Sequence, residues 1–193
     1  TLATHQVVEL ERRMDEARTQ ISDGRQTLSS LERQFQQLTQ SVQKSRTALH
    51  TLLQDSQWHQ ISWVLGSGEE IWERALAAQT SSRAAESLEI AIDEMRRALS
   101  VGQEAHQVYS GTEQQLRSAL DRLNKEFRAI TSALDRTQRR AGQIRQDGPS
   151  EELDVLDECI AQSMSALSMA QNAASFEDAL RYLREAQDII ERG

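Results

Sequence analysis

Histidine and cysteine, the side chains most readily turned to acid–base, metal or thiol chemistry near neutral pH, are few in this sequence, with four histidines and one cysteine. A di-iron centre in a helical protein uses Glu-x-x-His on two helices. The residues three before His5, His50, His59 and His106 are Leu2, Thr47, Ser56 and Gln103, so that motif is absent. Cys159 has no histidine close in sequence to act as its base, which removes the simplest thiol nucleophile. Gly66-Ser67-Gly68 opens a helix as a phosphate cradle would. It lacks the Lys-Ser/Thr of a P-loop, however, and Glu69 and Glu70 stand where the anion would sit. Asp154, Asp157 and Glu158 fall on a polar helix face, where acids solubilise. We therefore expect no catalytic residue, no cofactor and no metal.

The chemistry left over is adhesive. Trp58, Ile61, Trp63, Val64 and Leu65 crowd a short stretch just before those glycines. Tryptophan is over-represented at binding hot spots, so these five are the candidate partner-binding residues, with plugging the end of a helical hairpin as the competing role.

Composition narrows the classes further. Of 193 residues, 38% are hydrophobic and 27% charged, enough to fold, while 4% aromatics and a single proline suit long helices. The net charge of -8 argues against nonspecific nucleic-acid binding, which needs a surplus of Lys and Arg on one face. A lone cysteine excludes an internal disulfide framework and fits a reducing, cytoplasmic setting. No apolar run is long enough for direct membrane insertion. A chain that starts at Thr1, with heptads beginning at once, reads as processed or as part of something larger.

The elements follow from heptads. Over 2–54, Val7, Met14, Ile21, Leu28, Phe35, Val42 and Leu49 fill one heptad position, and Leu10, Ala17, Gly24, Leu31, Leu38, Ser45 and Leu52 the other. That spacing predicts one long helix with a partner helix along a narrow stripe. Two further series run through 69–146 without a phase break, one from Ile71 to Ala141 and one from Arg74 to Ile144. They predict a single central helix of about 117 Å. Its early part is apolar on more than the seam, which calls for more than one neighbour, and His106 on the seam reads as a register-fixing polar layer. Ser110-Gly111-Thr112 carries helix-start chemistry and is the alternative break point.

Asp147-Gly148-Pro149 stops the helix and Ser150 caps the next. A second cap follows at Ser175, after a kink near 172–175. The phrase 175–186, Ser-Phe-Glu-Asp-Ala-Leu-Arg-Tyr-Leu-Arg-Glu-Ala, resembles the second helix of a tetratricopeptide-type hairpin. The likeness covers about a dozen residues of one unit, and no 34-residue period recurs.

The expected fold is all-α: an elongated antiparallel coiled-coil rod built on the central helix, or a four-helix bundle if the chain breaks near Gly111. Residues 1–147 would form a long hairpin with its tip at 56–68, and 148–193 would pack back on the central helix. The expected function is a non-enzymatic structural or interaction module, a spacer, tether or scaffold that oligomerises with itself and docks partner proteins. The alternative is a helical arm or sensor-type signalling bundle of a larger machine, such as an SMC-like ATPase or a receptor.

Overall fold

The computed structural model describes residues 2–54, 56–62 and 66–192. Their regular structure is all helical: α1 (Leu2–Gln54), α2 (Gly66–Arg83), α3 (Leu88–Asp147), α4 (Glu151–Gln171) and α5 (Phe176–Arg192). The chain divides into two units. One comprises the described residues of 1–47 and 65–112, the other those of 48–64 and 113–193.

In the first unit, α2 runs back along α1 and α3 returns parallel to α1. The pairings fix these directions. A Cβ on Gly24 would meet Leu88 at the start of α3, and one on Gly102, further along α3, would meet Leu38 Cδ2 at 2.7 Å. Gly102 thus lets α3 approach α1 more closely than any side chain would allow. Phe35 of α1 stacks on Trp72 of α2 with ring centroids 5.6 Å apart, and Met95, Ala98 and Ala105 of α3 complete the core. One polar layer joins all three helices. Glu69 accepts from Arg46 at 2.9 Å and from the Tyr109 hydroxyl at 2.7 Å. Burial, with Glu69 as the second cause, pushes the Tyr109 phenol up to about 12.

The continuous helix expected over 69–146 is therefore corrected: the chain turns at 84–87, and α3 lies parallel rather than antiparallel to α1. The reason lies in packing. A stripe as wide as Ile71, Trp72, Ala75 and Ala78 needs two helical neighbours, and folding back supplies them. Serines make the corner. Ser82 Oγ donates to Ala91 O at 2.6 Å across it, and Ser87 Oγ accepts from Ile90 N at 3.3 Å, capping α3. At the alternative break point α3 runs unbroken through Gly111, and Thr112 Oγ1 bonds Val108 O at 2.8 Å inside the helix instead of capping a new one.

In the second unit, Gly148, at φ 113, reverses the chain after α3, and Ser150 caps α4 by accepting from Leu153 N at 3.2 Å. Ala141, Leu153 and Leu156 pack with Ile144 and Ile160 where α3 meets α4. The α4–α5 corner at 172–175 matches the α2–α3 corner in three backbone hydrogen bonds. Ala84 N to Thr80 O (3.1 Å) corresponds to Asn172 N to Ser168 O (3.2 Å), and Ala85 N to Ser82 O (3.3 Å) to Ala173 N to Ala170 O (3.2 Å). Ser87 O and Ser175 O each accept at 3.0 Å, from Ala91 N and Ala179 N. All these pairs lie 88 positions apart, as Ser87 does from Ser175. So do buried pairs: Ala78 and Ala166, Ser82 and Ala170, Met95 and Leu183, Ala98 and Ala186. In sequence, Ser87-Leu-Glu-Ile-Ala-Ile repeats as Ser175-Phe-Glu-Asp-Ala-Leu. The chain holds one helix–corner–helix design twice, each copy packed on a long helix.

This equivalence carries a prediction. Ser163 is fully buried and its Oγ has no hydrogen-bond partner among the described residues, while its counterpart 88 positions earlier is the buried Ala75. Ser163→Ala is expected to stabilise the chain by about 1 kcal/mol, because an unpaired buried hydroxyl costs about that much. A urea midpoint unchanged or lowered in the variant would show the hydroxyl to be satisfied.

Candidate interaction surface

Of the five candidate partner-binding residues, Trp58 and Ile61 lie inside the second unit, and Trp63, Val64 and Leu65 fall outside the described residues. Trp58 is 1% exposed. Its indole Nε1 donates to Asn124 Oδ1 at 2.9 Å, and its ring meets Phe127 edge-on with centroids 5.7 Å apart. Asn124 Oδ1 also accepts from Gln57 Nε2 at 3.1 Å. The turn is tied down at both ends: Ser56 Oγ accepts from Trp58 N at 3.0 Å, and Ser62 N donates to Ala174 O of the α4–α5 corner at 3.0 Å. As placed, Trp58 and Ile61 form core, which is the packing role set beside docking for them.

The apolar surface that is open lies on α1. Val7, Val8, Leu10, Met14 and Ile21 are 53%, 59%, 59%, 54% and 49% exposed. Four of them sit on the heptad stripe whose later members, Phe35, Val42 and Leu49, are buried. The stripe is one continuous seam, covered from about Gly24 onward, where α3 begins beside it, and bare before. Charge flanks the bare part. Glu9 pairs with Arg12 at 2.8 Å and Arg13 at 3.0 Å, Arg12 also pairs with Glu16, and Arg18 with Asp15 at 3.6 Å. The two arginines hold the Glu9 carboxyl below its ordinary value, Arg12 foremost. These exposed pairs add little stability but keep the stripe narrow. Heptad reading shows the seam; only the position of the α2–α3 corner shows which third of it is free.

Other chemistry is sparse. Cys159 is buried, its Sγ 3.3 Å from Ile189 O. Among the described residues no group of His, Cys, Asp and Glu could hold a metal ion, and no helix is long and apolar enough to cross a membrane. Comparison with protein-family models, with curated proteins and with solved structures gives no match for the chain.

Proposed function

We propose that the chain is a non-enzymatic helical scaffold or tether of the cytoplasm, built by coiled-coil packing, that docks other helices on the bare seam of α1. One observation carries this reading: Val7, Leu10, Met14 and Ile21 stand exposed in the same heptad phase as the buried core. Single exposed apolar residues need no explanation, but a contiguous stripe in packing register marks an interaction site. Its chemistry suits a partner helix that carries an apolar heptad seam of its own. The duplicated helix–corner–helix design supports the same reading, since repeated helical units supply surface rather than a reaction centre.

The test is photo-crosslinking. A photoreactive residue at position 13, flanking the seam, is expected to capture helical protein, foreign or a second copy, from a native extract. Leu10→Asp with Met14→Asp should cut that capture by at least about tenfold while leaving the melting curve within a few degrees, because neither side chain is in the core. Equal capture by the variant would refute the reading.

A further inference from the structure

We infer that the bare seam of α1 pairs with the same seam of a second copy of this chain, antiparallel, in one particular register. This rests on the reading of the seam as a docking surface and names its occupant.

Carried back onto α1, the 88-position offset of the two corners gives the stripe the pattern of a buried face. Advancing by 88 positions places Val7 on Met95, Leu10 on Ala98, Ala17 on Ala105 and Ile21 on Tyr109, all buried where α3 packs in the first unit. The free part of α1 thus repeats the in-facing positions of a packed helix. Its width limits the number of neighbours. Leu99, buried beside the α3 stripe, corresponds to Glu11, so the stripe on α1 is narrower and accommodates one helix rather than two. One neighbour on a strict heptad seam is a two-stranded coiled coil.

Charge chooses the direction. With Val7, Met14 and Ile21 at one core position and Leu10, Ala17 and Gly24 at the other, Glu11, Arg18 and Arg25 flank one side and Arg13 the other. A parallel pair brings Arg13 against the partner's Arg18, like against like. An antiparallel pair that layers Met14 on the partner's Ala17 and Leu10 on the partner's Ile21 brings Glu11 against the partner's Arg18, twice by symmetry. Sliding one heptad one way opposes Glu11 to Glu11 and Arg13 to Arg13; sliding the other way opposes Arg18 to Arg18. Only the central register has attraction and no like pair.

Sedimentation equilibrium and disulfide trapping on the purified full chain, with Cys159→Ala to remove the native thiol, test this. A dimer is expected at tens of micromolar. Glu11→Arg should weaken it about tenfold, and Glu11→Arg with Arg18→Glu should restore it, since the swap rebuilds both pairs. Leu10→Cys and Ile21→Cys chains should crosslink when mixed, while Leu10→Cys alone should not. A monomer at high micromolar concentration, a crosslink in Leu10→Cys alone, or failure of the charge swap to restore pairing would overturn the inference. A monomer whose seam still captures foreign helices would overturn only the choice of occupant. Loss of seam-dependent capture of every kind would overturn the docking reading itself. Circular dichroism of each variant confirms that the exposed substitutions leave the helices intact.

Discussion

Trp58→Ala is expected to destabilise the second unit by about 3–5 kcal/mol, the range for removing a buried large aromatic. Three losses combine. The substitution empties the space against Phe127, removes the edge-on ring contact, and deletes the indole donor to Asn124. Asn124 Oδ1 keeps its bond from Gln57, so the cost comes mainly from the cavity. Trp58→Phe retains a ring and should cost less than half as much. Urea unfolding followed by helical circular dichroism measures both. A shift no larger than that of an exposed control such as Val8→Ala would mean that the indole is not core. The same geometry constrains docking, because a partner engaging Trp58 has to draw it away from Phe127 and Asn124 first.

The second large effect is expected at Met95, fully buried in the first unit. Met95→Asp should cost at least about 4 kcal/mol, because the carboxylate enters an apolar layer without a partner. Leu183→Asp is its counterpart in the second unit, 88 positions on, and should be comparably damaging. Leu10→Asp, the same kind of change on the bare seam, should stay within about 0.5 kcal/mol in the monomer. Melting curves at low micromolar concentration separate the three. If Leu10→Asp fell with the other two, the exposure of the α1 seam would be refuted.

Much of this architecture is legible in the residues. The all-helical class, α1 as one helix over seven heptads, the stop at Gly148-Pro149 and the caps at Ser150 and Ser175 follow from periodicity and end chemistry, and each is present. The corner at 84–87 escapes such reading because Ala84 and Ala85 are good helix formers, no glycine or proline marks the turn, and the heptad phase passes through it unshifted. Its one signal is the phrase begun by Ser87, which recurs at Ser175 where a cap is easier to see. Ser110-Gly111-Thr112 shows the opposite case: local capping chemistry yields to helix continuity, and Thr112 turns its hydroxyl onto Val108. The packing of Trp58 depends on Asn124 and Phe127, more than 60 residues away, and nothing local announces it.

The single thiol has a use that its burial creates. Thiolate is the species that attacks an alkylating reagent, and Cys159 is held between α4 and α5 with its Sγ against the Ile189 carbonyl. Reagent reaches it only when that hairpin parts. The rate of alkylation in the intact chain therefore clocks transient opening of α4 from α5, and the first unit, which has no cysteine, adds no background. The protein carries a built-in stopwatch for breathing in one half of its fold.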